Sequence, residues 1–461
     1  MSRVTLLRTP IAQVSSPEQK RLQRSWYWYD WAAASYVVVT AAVLFAPYLT
    51  SIANKVACPG QPSDAACENN LDVLGIGIAP GSLVPYVLTV STVISAVVLV
   101  FIGAIVDRSM HPLRYLAGFT YVGATAAAAM VLVGGTNWQL GVILAIIANL
   151  GLGAALIVYS AIMIRITPPD DRDYVSARGW AYGYLGGGSL LAATLILLVA
   201  HDAFGLDKAG AVRAAFLVAG IWWALFAIIP LRGLRTLAQM DRPVPRDRMG
   251  GFRQLRTTFA SLQHYPQTKR FLLAYLFYND GMQTVIASAS LYGSKQLKFS
   301  DSELVITILL VQFIAFFGAL AFARMAAKHG AQRMIYSSLF LWTAVVCLAC
   351  ALPEKNLGLW LLLAAGIGLV LGGSQSLSRS LYSGLIPAGR ESEFFSLYQA
   401  MERGTSWLGT LVFGLVFQWF RDYRFSIVAL VIFFGVGAVL LRGVRVREGI
   451  IEAGNTPPKV V

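Results

Sequence analysis

Charge is scarce in this chain: Asp, Glu, Lys and Arg make up 13% of its 461 residues, whereas 57% are hydrophobic. A soluble globular chain is nearer a quarter charged, so this one lacks the polar surface to coat itself in water. Histidine and cysteine are scarce too, at four residues each. His111, His201, His264 and His329 all fall in loops or at the ends of apolar stretches. Neither a His-rich metal set nor a nucleophile with its base is evident, which argues against a membrane enzyme. No Gly-Lys-Ser or Gly-Lys-Thr follows any glycine cluster, so an ATP-driven pump has no support. The N-terminus shows no short apolar region followed by a small-residue cleavage site, and the first apolar stretch is expected to stay in the mature protein. No cofactor and no metal site is expected.

What the chain has instead is apolar length. Stretches of about 20 residues, enough to cross a bilayer as helices, recur near 25–51, 81–106, 115–135, 138–164, 177–200, 212–231, 270–293, 303–325, 334–352, 357–379, 394–419 and 424–443. The expected fold class is an all-α membrane protein of twelve spanning helices. The formal charge is +14, but the basic residues flank these stretches and do not form a compact nucleic-acid patch. One set of connections carries Arg21, Arg24, Arg108, Arg114, Arg172, Arg178, Arg232, Arg235, Arg246, Arg248, Arg253, Arg256, Lys328, Arg333, Arg390 and Arg447. The other set has only Lys55, Lys208, Lys295, Lys298, Lys355 and Arg421. Basic loops stay inside, so both termini are expected to be cytoplasmic.

The long connection 232–269 divides the chain near its centre. Phe252, Leu255, Phe259 and Leu262 recur at three- and four-residue spacing beside Arg253 and Arg256. That pattern predicts a short helix lying at the interface, the alternative being a mobile linker. The expected organisation is a cytoplasmic segment 1–24, a six-helix bundle 25–231, the linker 232–269, a second bundle 270–444 and a cytoplasmic tail 445–461. The two bundles resemble each other at an offset of about 220 residues. "ITPPDDRDYVS" (166–176) matches "IPAGRESEFFS" (386–396), and "GAIVDRSM" (103–110) falls on "ARMAAKHG" (323–330). Duplicated six-helix halves place a shared pathway between them, with a site near the midplane.

Several charges sit inside the apolar stretches. A carboxylate at the bilayer centre costs roughly 2.5 kcal/mol or more, so such residues face the bundle interior and pair or carry function. Asp280, with Asn279 and Gln283, lies about halfway along 270–293; Glu402 and Arg403 lie similarly deep in 394–419. Two readings stand: Asp280 or Glu402 takes up and releases a proton, since burial favours a neutral carboxyl, or one of them forms a fixed ion pair with Arg403. Asp30, next to Tyr29 in an aromatic nest with Trp26 and Trp28, reads equally as gate or site; the aromatics themselves read as interface anchors. Arg379, near Gln375 and three serines, could clamp a substrate carboxylate. Its place near a span end favours an anchor or a gate pairing with Glu391 or Glu393.

The glycine–acid–base loop after the second span resembles the major facilitator superfamily pattern Gly-x-x-x-Asp-Arg-x-Gly-Arg-Arg. Gly103, Asp107 and Arg108 match, whereas Met110, His111 and Pro112 depart from it; in the second half Lys328, Gly330 and Arg333 match, but Ala327 replaces the acid. The resemblance implies that this motif latches the halves on the cytoplasmic side. More narrowly, "WYWYDWAAASY" (26–36), "VSARGWAYGYLGGG" (175–188), "YNDGMQTV" (278–285) and "GGSQSLSRSLYSGLIPAGRESEFFSLY" (372–398) resemble the vacuole effluxer-like family, with Ala33 and Ala34 where Asn-Ser is commoner. The resemblance implies a secondary transporter working by alternating access. Proton-coupled export of a small solute such as an amino acid is the leading expectation, with an importer or a drug or lipid exporter as alternatives. A non-transporting receptor or assembly factor on the same fold is the alternative of another class. Partners are then a solute, protons and the bilayer, with no nucleic acid, and the expected state is a monomer in the plasma membrane, or the vacuolar membrane of a eukaryote.

Cys58 and Cys67 lie in the outside loop after the first span, where an oxidising compartment permits a disulfide. Cys347 and Cys350 share a helix face and read as small buried packing residues.

Overall fold

The computed structural model describes residues 15–60, 67–73, 75–239, 260–404 and 406–461. The first helix, α1 (Pro17–Ala57), opens on Ser16, whose hydroxyl accepts from the Gln19 amide while Gln19 reaches back to the Ser16 amide; Pro17 fills the first turn. Its middle, Tyr36–Leu44, is wound as a π-helix. A disulfide joins Cys58 to Cys67, their Cα atoms 5.9 Å apart, and a small antiparallel hairpin follows, β1 (Leu71–Val73) with β2 (Ile76–Ile78). The first half then continues through α2 (Leu83–Asp107), α3 (Pro112–Ala129), α4 (Trp138–Ile166), α5 (Arg172–Val199) and α6 (Lys208–Gly233).

The second half contains α7 (Pro266–Leu291), α8 (Asp301–His329), α9 (Ala331–Cys350), α10 (Leu357–Gly384), α11 (Glu391–Gly404), α12 (Ser406–Phe420) and α13 (Tyr423–Arg442). A last short helix, α14 (Val446–Glu452), leads into the C-terminal residues. Among the described residues, ten helices are long and apolar enough to cross a membrane, two fewer than the sequence pattern counted. The expected stretch 270–293 is helical, but Asn279, Asp280 and Gln283 lower its hydropathy; 394–419 is described as α11 and α12, each short by itself. The helix expected on Phe252, Leu255 and Phe259, with Arg253 and Arg256, lies outside the described residues, as does most of segment 1–24.

Each half has its own apolar core. In the first, Trp26, Tyr36, Tyr159 and Trp223 are fully buried; in the second, Tyr278, Trp342 and Tyr382 are. The halves meet where α2 crosses α11, α4 touches α11, and α5 lies against α8 and α10. The hydrogen bonds that join them run from Tyr184–Gln375, near mid-helix, to the face carrying Ser15 and Val461. Among the described residues none lies closer to the face of the disulfide. The molecule is therefore shut on its termini face. The C-terminal residues strap that face: the Asn455 side-chain amide donates to the carbonyls of Gly384 and Ile386, and the Lys459 amide donates to Asp170 in the first half.

Candidate functional site

Polar side chains occupy the seam in two tiers. The tier nearer the termini face is built on Arg379 of α10, which is 4% exposed. Its guanidinium lies 3.4 Å from Asp30 Oδ2 on α1, so the ion pair links the two halves. Arg379 Nε also donates to Ser176 Oγ at 3.0 Å and Nη2 to the Ser176 carbonyl at 2.8 Å. Ser176 in turn donates to the Ser376 carbonyl at 2.7 Å. The rings of Trp26, Tyr159 and Trp180 surround the guanidinium at 5.2, 5.5 and 5.4 Å from their centroids, favourable cation–π geometry. The Tyr159 hydroxyl donates to Asp30 Oδ2 at 2.7 Å. Gly179 of α5 makes room for this cluster: a Cβ there would stand 2.7 Å from Asp30 Oδ2.

This arrangement corrects several expectations. Arg379 pairs with neither Glu391 nor Glu393, because α14 and the C-terminal strap cover the end of α10 and remove it from the membrane surface. Glu393 receives two bonds from Arg390, at 2.7 and 2.6 Å, and Glu391 accepts from the Gly389 amide. Burial opposes the Arg390 charge, yet the hydrogen bonds and charge of Glu393 outweigh it and raise the guanidinium pKa. Trp26 is no interface anchor: it is fully buried and stacked on Tyr159, with centroids 4.1 Å apart. Tyr29 points away from the seam and bonds Thr120 within the first half at 2.9 Å. Cys347 is exposed on the outer surface of α9, so it is not a buried packing residue.

The second tier lies deeper, on α7 and α11. Gln399 Nε2 donates to Glu402 Oε2 at 2.8 Å, and Arg403 Nε reaches Gln399 Oε1 at 3.4 Å. Asn279 Nδ2 donates to the Glu402 carbonyl at 3.3 Å, and Asn279 Oδ1 accepts from Gln283 Nε2 at 3.4 Å. A Cβ on Gly153 of α4 would lie 3.5 Å from Arg403 Nε, so this arginine abuts the opposite half. Gln375 accepts from the Tyr184 hydroxyl at 2.6 Å, again across the seam. At the roughly 1.5 Å rise of a helix, Glu402 is about 16 Å from the start of α11. Glu402, Arg403 and the carboxamides of Asn279, Gln283 and Gln399 thus lie together on α7 and α11, deep in the seam.

Asp280 is not part of that group. It is fully buried, and its Oδ2 accepts from the Gly409 amide of α12 at 2.7 Å; its Oδ1 has no partner. Among the described residues Arg403 does not meet its carboxylate, so the fixed ion pair of Asp280 with Arg403, one of the two readings, is not formed. The neighbouring Phe433 and Phe434 close over Gly281 beside it.

The first-half copy of the latch motif retains its glycine, acid and base, Gly103, Asp107 and Arg108. Asp107 Oδ1 and Oδ2 accept from the Ser392 and Glu393 amides at 2.9 and 2.7 Å, so a carboxylate from α2 caps the start of α11 across the seam. Gly103 permits the approach, since a Cβ would stand 2.5 Å from the Ser392 carbonyl. At the equivalent place on α8 the acid is missing at Ala327, and among the described residues the exposed side chains of Lys328 and Arg333 make no hydrogen bond or ion pair. The residues that sequence reasoning missed are Tyr159, Ser176 and Gln399. The 220-residue offset held one clue, because it superposes Tyr159 on Arg379 and Ser176 on Ser396.

The sequence profile of the family described as "Vacuole effluxer Atg22 like" matches residues 18–170 and 166–454. Among curated relatives, the chain is 26% identical over 421 residues to the Bacillus subtilis protein named "Uncharacterized MFS-type transporter YxiO", covering 91% of this chain and 94% of that one. It is 24% identical over 485 residues to "Autophagy-related protein 22" of Kluyveromyces lactis, covering 95% and 96%. Among solved structures, a bacterial homologue of the iron transporter ferroportin in its outward-facing state superposes with a TM-score of 0.65 at 12% identity, over 93% of this chain and 99% of that one.

Proposed function

Because this chain belongs to the vacuole effluxer Atg22-like family of the major facilitator superfamily, and so is a membrane transporter rather than an enzyme, we propose that it is a proton-coupled secondary exporter of a small zwitterionic solute such as an amino acid. The observation that carries the reading is the mid-bilayer group on α7 and α11, where Glu402 and Arg403 stand side by side amid Gln399, Asn279 and Gln283. Arg403 offers donors to a carboxylate, and Glu402 offers an acceptor to an ammonium or a site for a proton. Intramembrane charges of this kind mark substrate and proton pathways.

The Asp30–Arg379 cluster is the inner gate in this reading, and Asp107 with Gly103 and Arg108 forms the latch beside it. The basic termini face is the cytoplasmic one, the shut seam corresponds to an outward-facing state, and a monomer in the cell membrane suffices. Proton binding at Glu402 would neutralise one partner of the solute and so couple release to the gradient.

Reconstitution in liposomes tests this. Amino-acid flux should follow an imposed pH gradient, and Glu402→Gln should retain solute exchange while losing accumulation against the gradient. Gradient-driven accumulation that survives Glu402→Gln would refute the assignment of the proton to Glu402. No flux of any amino acid in either membrane orientation would refute the substrate class.

A further inference from the structure

The outer surface of the first half carries a charged feature that the transport site does not use. On the termini face, α3 and α6 pack side by side and leave a groove of about 680 Å³ lined by His111, Arg114, Tyr121, Leu231, Arg232 and Arg235. A second groove of about 560 Å³ adjoins it on the other flank of α3, sharing His111 and Arg114 and walled by Tyr115, Phe119 and Val122. Among the described residues no acidic one lines either groove. Among the described residues Arg114, Arg232 and Arg235 are exposed and their side chains make no hydrogen bond or ion pair. Three unpaired guanidiniums gathered at one helix crossing repel one another unless an anion lies among them.

Geometry narrows the anion. Arg114 lies in the first turn of α3, and no side chain caps that helix start, so its amides add positive field to the guanidiniums. Beyond the basic rim both grooves turn apolar: Tyr121 and Val122, seven and eight residues further along α3, are exposed, and Ile228 lines the first groove. A free inorganic anion has no use for apolar walls that open onto the membrane. A head group at the rim with one acyl chain in each groove fits both parts, and basic pockets between helices are known to hold acidic lipid head groups.

We propose that these paired grooves bind one anionic diacyl phospholipid of the leaflet at the termini face. The phosphate lies against Arg114, Arg232 and Arg235, and the chains straddle α3. The site is independent of the transported solute.

The test uses the full chain purified in detergent, titrated separately with phosphatidylglycerol, phosphatidylcholine and inorganic phosphate, and read by native mass spectrometry and thermal denaturation. One phosphatidylglycerol should bind in preference and raise the melting temperature, with no comparable effect of the other two. The triple variant Arg114→Gln, Arg232→Gln, Arg235→Gln should weaken that binding by more than tenfold, at about fivefold per basic residue near an anionic surface. Arg24→Gln, Arg442→Gln, Arg447→Gln, which removes the same charge from exposed sites elsewhere on that face, should leave it unchanged. If the first triple variant does not fold, Arg114→Gln alone should give the fivefold loss. Equal binding of phosphatidylcholine, protection by inorganic phosphate alone, or equal losses in the two triple variants would overturn the proposal.

Discussion

Replacing Asp30 by Asn removes one charge from the seam and little else. The Asn carbonyl still accepts from Tyr159, and the shape is kept, so the loss falls on the Arg379 contact. Both partners are nearly buried, with side-chain exposures of 5% and 11%. Removing one member of a buried pair costs about 3–5 kcal/mol. Here the cost falls at or just below the low end, because Arg379 keeps two bonds to Ser176 and three aromatic rings. These contacts join α1 and α5 to α10 and part when the termini face opens, so a penalty of about 2–3 kcal/mol falls on the shut state alone. At 1.4 kcal/mol per factor of ten, the equilibrium moves some 30- to 150-fold toward the state open at the termini face. Spin labels on cysteines at positions 110 and 328, in a background with Cys347 and Cys350 replaced by Ala, report the separation of the halves by pulsed electron resonance. The Asp30→Asn distribution should shift to longer distances. An unchanged distribution would refute the gate, whatever happened to transport.

Three further outcomes follow from the same contacts. Asp280→Ala strands the buried Gly409 amide and should lower stability by about 1–3 kcal/mol, whereas Asp280→Asn keeps an acceptor and should melt near the wild-type temperature; a pH-independent transport rate in Asp280→Asn would restore this residue to the proton pathway. Gly103→Val places a side chain against the Ser392 carbonyl and Ser396, so the same spin-label pair should report loss of the shut state; an unaltered distance would mean that α2 and α11 separate without cost. Cys58→Ser releases a short loop whose closure restrains the unfolded chain by about 2.5 kcal/mol, lowering the thermal midpoint on the oxidised protein and abolishing the difference between oxidised and reduced samples.

The fold was legible because apolar length and a duplicated pattern do not depend on knowing any tertiary contact. Charges inside spans were legible for the same reason, and Asp30, Glu402 and Arg403 all lie within the seam. Partnerships were not. Asp30 and Arg379 are 349 positions apart, and no local pattern records which helices will face each other. Arg379 was misjudged for a specific reason: distance to a helix end was used as distance to water, but a C-terminal strap covers that end. The depth of Asp280 fixes its cost but not its partner: one carboxylate oxygen accepts from a backbone amide of α12 and the other has no partner. The missing acid at Ala327 was readable as a letter, and the exposed Lys328 shows its effect.

The enclosure of Arg379 also decides how ionic strength acts on the molecule. In water at about 0.15 M salt, charges more than about 8 Å apart are largely screened. Between Trp26, Tyr159 and Trp180 the pair is nearly buried, so salt screens the Asp30–Arg379 attraction much less while the seam is shut. Once the halves part, each charge acquires its own ion atmosphere and is stabilised by it. Salt therefore acts on the parting of the halves mainly from one side: it changes the shut seam little and favours the separated charges.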